Sequence, residues 1–516
     1  MANRQSKPAQ GSSVAPRRHS SPLLGYTPLV PPVTVLLLFF ALPMGMMIGL
    51  GFQNTETGTF SLDSYSRFVA DDLARAGLLR TVIMSAIVAV CVTVMAYPVA
   101  YFLARSTSRW RVVVFALAIA PELAGVVLRP YGWLIILEKN GFVNDFFMWT
   151  GLTQSPLPIY NNMFAVVVGL THVLLPFGIL SLLTNIQGID VNLEKSAQIL
   201  GASRLSVMRY IVLPLSVPGI VSSFLIAFTL SASAYATPAL LGGIKFGVLA
   251  TMIYQQVICS CNGERAASYR TCDCLRGSSN GITYHCQASC EVVMNRSLLS
   301  YLNTIFLSLV LAFIALPMGV VIAAALSPTS EGTFEFWTWT GRWFAELMQP
   351  KWFEPFLLSA KIATITAVST GVLATLGAYA VAYEKVPGSN VIMSFLLSPL
   401  AVPQIVKGVA IVLFFASAGL YRYLGLPGLV LAHVILTIPF AVRMIATSIY
   451  NFDKNLDRAA RILGANRWQR IFYVLLPLIK PGVFSGMTFA FILSFNDVPL
   501  AIFLVRPGET TLPITV

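Results

Sequence analysis

Four charged side chains lie inside long apolar stretches of the 516-residue chain, and a charge in such a place usually has a function or a partner. They are Glu122, Arg129, Lys407 and Asp497. Glu122 and Arg129 are seven residues apart, about two turns on one helical face. An acid at position 122 or 497 would suit a cationic solute, so these four residues are predicted to line a translocation pathway. In the alternative interpretation, Arg129 and Lys407 extend to the outer membrane surface and Glu122 pairs locally.

Prolines lie near Arg129 and near Lys407. Arg129 lies eight residues after Pro121, and Lys407 lies eight residues after Pro399. Further prolines stand at positions 130 and 403. Because proline removes a backbone donor, these positions predict broken helices, which a membrane protein tolerates where the break lines a cavity.

The sequence offers no arrangement of residues for catalysis. The four histidines are scattered, and no GxxxxGK[ST] phosphate-binding loop occurs. We therefore predict no catalytic residue, no cofactor and no metal site. If ATP drives the protein, a separate chain must hydrolyse it.

Six of the seven cysteines lie in one polar segment, 258–292, between apolar stretches. One interpretation is a zinc or disulfide site, because C-x-C pairs are rich in ligands. The other is translation in a shifted reading frame. A shifted triplet consists of the last two bases of one codon and the first base of the next. Read in this way, the codons of Cys272 and Asp273 give Ala or Val, and those of Gln287 and Ala288 give Lys or Arg. We favour the second interpretation, because the shifted frame is apolar and ends in a basic residue. We therefore expect that these cysteines bind no metal.

Two segments of 27 residues repeat each other without a gap at an offset of 263. The first, 193–219, reads LEKSAQILGASRLSVMRYIVLPLSVPG, and the second, 456–482, reads LDRAARILGANRWQRIFYVLLPLIKPG. The offset pairs Glu194 with Asp457, Ala197 with Ala460, Gly201 with Gly464, and Pro214 with Pro477. Such agreement indicates an internal repeat, which is frequent in transporters.

Each repeated segment predicts a helix–turn–helix elbow. An acid in the first turn suits the positive end of the helix dipole, and Gly201 or Gly464 supplies the left-handed residue that closes the helix. Ser203 or Asn466 is then expected to cap a second helix. Proline should end that second helix before position 214 or 477.

These elements belong to a chain that is 56% hydrophobic and only 11% charged, whereas soluble domains carry about 25% charged residues. Ten apolar runs are long enough to cross a bilayer. They cover residues 20–55, 81–104, 112–137, 161–185, 215–240, 298–325, 362–383, 391–420, 423–442 and 481–504. The net charge of +13 is concentrated in short segments between the runs. This pattern excludes a nucleic-acid footprint and places the N-terminus in the cytoplasm.

The repeated elbows resemble the EAA loop of ABC-importer permeases, with E-K-S-A…G…I-V-L-P in one copy and D-R-A-A…G…V-L-L-P in the other. Ser196 and Asp457 are modest departures from that pattern. The resemblance implies an all-α polytopic membrane protein with the type I importer fold, in the bacterial inner membrane. It also implies three partners: an ATP-binding cassette ATPase dimer, which the elbows would contact, a periplasmic solute-binding protein and the lipid bilayer.

Three further segments resemble spermidine/putrescine-type permeases: GLTHVLLPFGILSLLTNIQGID, SASAYATPALLGG and SFNDVPLAIFLVRPGETTLPI. This implies a polyamine-like solute or another small organic cation or amino-acid-like compound. Fused iron(III)- and thiamine-type permeases remain alternatives, and so does a secondary transporter, which would have no use for duplicated elbows.

The predicted organisation is a basic tail at 1–27, a first repeat at 28–292 and a second repeat at 293–516. Each repeat should hold about six transmembrane helices. The cysteine-rich segment would disrupt one of them, and we expect the last to be missing because the chain is truncated at its C-terminus. This exact chain is then expected to assemble and transport poorly.

Overall fold

The computed structural model describes residues 26–54, 59–123, 125, 127–243, 246–261, 296–328, 339–506 and 508–515. The predicted basic tail up to residue 25 and most of the cysteine-rich segment, 262–292, lie outside the described residues. The first half consists of helices α1 (Thr27–Gly51), α2 (Asp63–Ala70), α3 (Asp72–Arg105), α4 (Trp110–Leu123), α5 (Leu128–Leu137), α6 (Phe142–Trp149), α7 (Met163–Gln187), α8 (Val191–Ile199), α9 (Arg204–Ala232), α10 (Ala236–Leu241) and α11 (Leu249–Cys261).

The described residues of the second half repeat this order from α12 onward, except that they have no α-helix equivalent to α6. Its helices are α12 (Arg296–Leu326), α13 (Arg342–Glu346), α14 (Pro350–Tyr383), α15 (Ser389–Ala401), α16 (Gln404–Ser417), α17 (Leu426–Tyr450), α18 (Lys454–Ile462), α19 (Arg467–Phe495), α20 (Pro499–Leu504) and α21 (Leu512–Thr515). Within the described ranges, the only β pairing is an isolated bridge between Gln53 and Phe60.

Most of the predicted apolar runs form helices long enough to cross a membrane. The described part of the chain contains eight such helices, or nine if α15 and α16 count as one bent span. Besides the run 391–420, which contains α15 and α16, three runs differ from a single straight span. The run 112–137 contains two helices, α4 and α5, and the runs 215–240 and 481–504 each end in a separate short helix, α10 or α20.

The break between α15 and α16 lies where prolines predict it. The two helices meet at an angle of 98°. Pro399 lies in the final turn of α15, and Pro403 directly precedes α16. Because neither proline donates a backbone hydrogen bond, the helix is interrupted at this point.

The elbow prolines do not end their helices, so that prediction is wrong. α9 continues through Pro214, and α19 continues through Pro477. In each helix a π turn precedes the proline, at Met208–Val212 or Ile471–Leu475. The Leu213 amide accordingly bonds the Met208 carbonyl, five residues back. The wider turn gives room to the carbonyl with which the proline ring would otherwise clash.

The first helix of each half packs against the other half. Leu29, Leu36 and Phe40 of α1 belong to the core that α14 and α17 form in the second half. Reciprocally, Val310 and Ile314 of α12 are buried in the core formed by α3, α4 and α7. This exchange joins the two repeats into one structure, because neither core is complete without a helix from the other.

Close helix packing in the first half depends on Gly178 of α7, where α3, α7 and α9 meet. A Cβ built on Gly178 would lie 2.6 Å from Cγ1 of Val92, 3.1 Å from Oγ of Ser223 and 3.3 Å from Cβ of Ala96. Neighbours on two helices therefore leave no room for a side chain.

We predict that Gly178→Leu destabilises the folded protein by about 1–3 kcal/mol, because it overpacks this contact. Thermal unfolding of the detergent-solubilised protein measures the effect. Gly45→Leu is the matched control, since a Cβ at Gly45 of α1 meets nothing within 4 Å. Equal unfolding temperatures for the two variants would contradict the packing argument.

Candidate functional site

The first elbow is formed by α8, a left-handed glycine and the start of α9. Asp190 caps α8 by accepting a hydrogen bond from the Asn192 amide. Gly201 follows the helix with φ +92°. The Ala202 amide donates to the Ala197 carbonyl at 2.9 Å, which is the six-to-one bond of a Schellman cap. Ala197 therefore supplies the carbonyl that closes the turn.

The second elbow repeats this geometry around α18. Asp453 caps the helix, Gly464 has φ +85°, and the Ala465 amide donates to the Ala460 carbonyl at 3.0 Å. The predicted caps of the second helices are also present. Ser203 accepts from the Ser206 amide, and Asn466 forms a reciprocal capping box with Gln469. The left-handed glycines and the caps are thus confirmed, whereas the coupling role of the elbows stays a prediction.

Each elbow presents two large apolar side chains at its tip. Ile199 and Leu200 are 85% and 87% exposed, and Ile462 and Leu463 have the same two values. The pairs are related by the 263-residue offset. Exposed leucine and isoleucine at a helix end contribute nothing to the core, so the duplicated pair is typical of a contact surface.

The acid of the first elbow is buried and held by α3. Nε of Arg105 lies 2.7 Å from Oε1 of Glu194, and the Tyr101 hydroxyl donates to Oε2 at 3.3 Å. A second Arg105 nitrogen donates to the Ile189 carbonyl at 3.0 Å. Two residues at the end of a long membrane helix therefore fix the orientation of α8.

The acid of the second elbow has a different cation. Asp457 accepts from Nη1 of Arg470 at 2.7 and 2.8 Å, and Arg461 lies 3.6 Å away. Both arginines belong to the elbow itself. The Tyr383 hydroxyl at the end of α14 also contacts Asp457. The second elbow thus carries its own cations for Asp457, and the acid contacts the long helix α14 through Tyr383.

Analysis of the sequence missed these tyrosines, although a signal for them exists. The six-residue pattern A-Y-x-V-A-Y occurs at 96–101 and again at 378–383. Its last residue is Tyr101 in one half and Tyr383 in the other, and both contact the elbow acid. A search for the repeat outside the elbows would have found it.

Both elbows lie on the same face of the molecule. The Tyr26 hydroxyl, next to the start of α1, donates to the Pro387 carbonyl at 3.0 Å, just beyond the α14 end that contacts the second elbow. From there α1 crosses to the opposite face, and α3 crosses back to end at the first elbow. Two crossings return the chain to the face from which it started.

The pair Glu122 and Arg129 is fully formed inside the protein. Nη1 of Arg129 lies 3.0 Å from Oε1 of Glu122, and Nη2 donates to Oε2 at 3.3 Å and to the Glu122 carbonyl at 3.4 Å. Arg129 is only 3% exposed. The local pairing of Glu122 agrees with the alternative interpretation, but the burial of Arg129 contradicts its extension to the membrane surface.

Lys407 occupies the corresponding position in the second half. It is 4% exposed, and its Nζ donates to the Pro399 carbonyl at 3.0 Å. Burial contradicts extension to the membrane surface here as well. Arg129 and Lys407 therefore both bind a carbonyl near the C-terminal end of a broken helix, where carbonyls lack helical partners.

Asp497 is enclosed by groups from α17, α19 and α20. Its Oδ2 accepts from the amides of Leu500 and Ala501 at 2.9 and 3.3 Å, which caps the start of α20. Nε2 of His433 lies 3.4 Å from the same oxygen, and Nδ1 of His433 lies 2.8 Å from Oγ of Ser494. All four buried charges thus have partners within the protein, and their contact with a solute stays a prediction.

His433 is a second residue that the sequence did not single out, because a lone histidine in an apolar run carries no signal by itself. Among the described residues, no group of three or more His, Cys, Asp or Glu side chains could hold a metal ion. Most of the cysteine-rich segment lies outside those residues, so the prediction that its cysteines bind no metal stays open.

The long apolar helices, the buried charges and the duplicated elbows define a polytopic membrane permease. Residues 96–261 and 367–516 each match the family described as "Binding-protein-dependent transport system inner membrane component". The chain belongs to this family and carries its module twice, as an ABC-importer inner-membrane permease in fused two-half form.

Curated relatives are polyamine permeases. The spermidine/putrescine transport system permease protein PotB of Escherichia coli (strain K12) is 32% identical over 228 residues, 43% of this chain and 82% of PotB. The putrescine transport system permease protein PotI of the same organism is 30% identical over 217 residues, 40% of this chain and 76% of PotI. Among solved structures, a bacterial ABC transporter involved in the import of the acidic polysaccharide alginate covers 58% of this chain and 95% of its own, with 17% identity and a TM-score of 0.40.

We predict that Arg105→Ala destabilises the protein more than Arg470→Ala. The side chains of Arg105 and Arg470 are similarly buried, 13% and 15% exposed. Removing one partner of a buried pair costs about 3–5 kcal/mol. Asp457 keeps Arg461 nearby, whereas Glu194 would keep the hydroxyl of Tyr101 as its side-chain partner.

Thermal unfolding of the two variants measures this difference. Glu194→Gln in the Arg105→Ala background should recover part of the loss, because it removes the uncompensated charge. Equal destabilisation by the two arginine variants would show that the different cations of the two elbows have no energetic consequence.

Proposed function

We propose that this chain is the permease of an importer for polyamines such as spermidine or putrescine, and that a separate ATPase drives it. The observation that carries the proposal is its 32% identity with PotB, which extends over 82% of that permease. The two elbows support the same function, since a pair of equivalent protrusions on one face suits a two-fold partner.

The partner at the elbows is proposed to be an ATP-binding cassette dimer. The tips share Ile-Leu-Gly-Ala at 199–202 and 462–465, and the four exposed apolar side chains match in exposure. The neighbouring charges do not match: α18 carries Lys454, Arg458 and Arg461, whereas α8 carries Lys195. Two equivalent grooves would therefore recognise the apolar tip rather than the charge.

The elbow face is proposed to be cytoplasmic, with the N-terminus on the same side. Arg105 is the last residue of α3 at this face, Arg109 and Arg111 come shortly after it, and the second elbow is rich in arginine. Basic residues accumulate in the cytoplasmic loops of membrane proteins. A periplasmic solute-binding protein would then dock on the opposite face, where α6 and the loop after it lie.

Uptake measurements test the solute. Cells that express this chain with its native partners should take up labelled spermidine or putrescine by a saturable route, at the low rate expected for this chain, and deletion of the gene should abolish that uptake. Thiamine and iron(III) uptake serve as comparisons and should not change. Unchanged polyamine uptake after deletion, or loss of thiamine or iron(III) uptake instead, would refute the proposed solute.

We predict that Leu200→Asp and Leu463→Asp each weaken ATPase binding by about 2 kcal/mol or more, because a charge replaces an apolar anchor at the interface. Co-purification of the ATPase with the affinity-tagged permease measures the effect. Leu152→Asp is the matched control, since Leu152 is 69% exposed in the loop after α6, on the opposite face. Full ATPase recovery with the double elbow variant would exclude the elbows as the docking surface.

A further inference from the structure

The 263-residue repeat extends upstream of the elbows to a proline–phenylalanine pair. Pro176 and Phe177 lie in α7, and Pro439 and Phe440 lie at the equivalent positions of α17. The rings of Phe177 and Phe440 contact each other, with centroids 6.5 Å apart and planes at 49°. Equivalent residues of the two repeats therefore touch.

Such a contact locates the symmetry of the molecule. In a two-fold arrangement, a residue touches its own equivalent only where both lie close to the axis. The approximate axis that relates the two repeats must therefore pass between Phe177 and Phe440.

The depth of this point follows from the helix lengths. Phe177 lies ten residues before the end of α7 at Gln187, and Phe440 lies ten residues before the end of α17 at Tyr450. Ten helical residues span about 15 Å, half the thickness of a hydrocarbon core of about 30 Å. The two rings thus meet near the middle of the membrane.

Phe177 packs against the edge of the first-half core, but neither ring is enclosed. Phe177 and Phe440 are only half-buried, whereas their neighbours Pro176, Gly178 and Pro439 are buried. Phe440 also packs against Phe489 of α19, with ring centroids 5.2 Å apart. A partly exposed aromatic cluster between the two halves, on their common axis, lies where a pathway between the halves would run.

The backbone next to each ring is suited to movement. Pro176 and Pro439 lie inside their helices and donate no backbone hydrogen bond, so the carbonyls four residues earlier, at His172 and Ile435, lack that helical partner. Helices bend most readily at such positions. Each ring therefore directly follows a point where its helix can change direction.

We propose that Phe177 and Phe440, together with Phe489, form the constriction that closes the solute pathway on the axis, and that transport requires the first two rings to separate. This inference rests on the proposed permease function and adds to it the residues that block passage. Nothing in it depends on which solute is carried.

Reversible cross-linking tests the separation. Phe177→Cys and Phe440→Cys are combined in a background whose native cysteines are serine, and a short bifunctional thiosulfonate links them through disulfides. Linked permease should lose spermidine uptake about tenfold or more, because the helices can no longer part, and reducing agent should restore it. Phe224→Cys with Phe228→Cys is the control, since those rings stack 6.2 Å apart within α9 and their link does not join the halves. Full uptake by completely linked 177–440 permease would overturn the proposal.

A leak measurement tests the closure without ATPase or polyamine. Vesicles containing the Phe177→Ala/Phe440→Ala permease should lose trapped potassium ions about tenfold faster than vesicles with the unmodified chain, because removing both rings opens the axis. Phe224→Ala/Phe228→Ala vesicles should remain tight. Equally tight vesicles for both double variants would refute the constriction. If the unmodified permease imports no polyamine, the proposed solute is wrong. The leak measurement still tests the constriction, because it needs no polyamine.

Discussion

Backbone groups inside a membrane have no water to bind, so every interruption of a helix must be satisfied within the protein. This constraint explains why the four charges are buried, which their positions in the sequence do not. Arg129 and Lys407 donate to carbonyls next to the broken ends of α4 and α15, and Asp497 accepts from the first free amides of α20. The same constraint explains the π turns, which allow α9 and α19 to continue through Pro214 and Pro477. Each of the four buried charges in the apolar runs therefore lies close to a helix end.

Within that framework the two repeats share geometry but differ in their ion pairs. Both elbows use the same caps, the same left-handed glycine and the same exposed tip. In the first half, the elbow acid pairs with Arg105 from the long helix. In the second half, it pairs with Arg470 from the elbow itself. Movement of the first elbow is consequently tied to α3 by Arg105 and Glu194, whereas the second elbow is tied to the end of α14 by Arg467, which lies 3.1 Å from Glu384. Each elbow is thus connected to the end of a long helix by an ion pair, but the elbow acid takes part in that pair only in the first half.

Local features of this fold follow from the sequence, and long-range ones do not. Gly201 and Ser203 are predictable because a left-handed turn and an N-cap depend on a few adjacent residues. The course of the chain at Pro214 is not, since a π turn replaces the expected helix end. The exchange of α1 and α12 between the halves leaves no local pattern, because either core could accept an apolar helix. The partners of Asp497 are equally hidden: His433 lies 64 residues earlier in the chain.

The position of the aromatic pair connects the elbows to the centre of the membrane. α7 and α17 carry Phe177 and Phe440, and each helix leads within a few residues into α8 or α18. A displacement imposed on an elbow therefore acts directly on the helix that bears a ring, and the proline before the ring is the weakest point along that helix. Because the rings meet on the axis, equal displacements of the two elbows away from it would move Phe177 and Phe440 apart. A two-fold partner that moves both elbows apart at once would thus open the constriction, and α7 and α17 would be the only connection needed between the elbows and the rings.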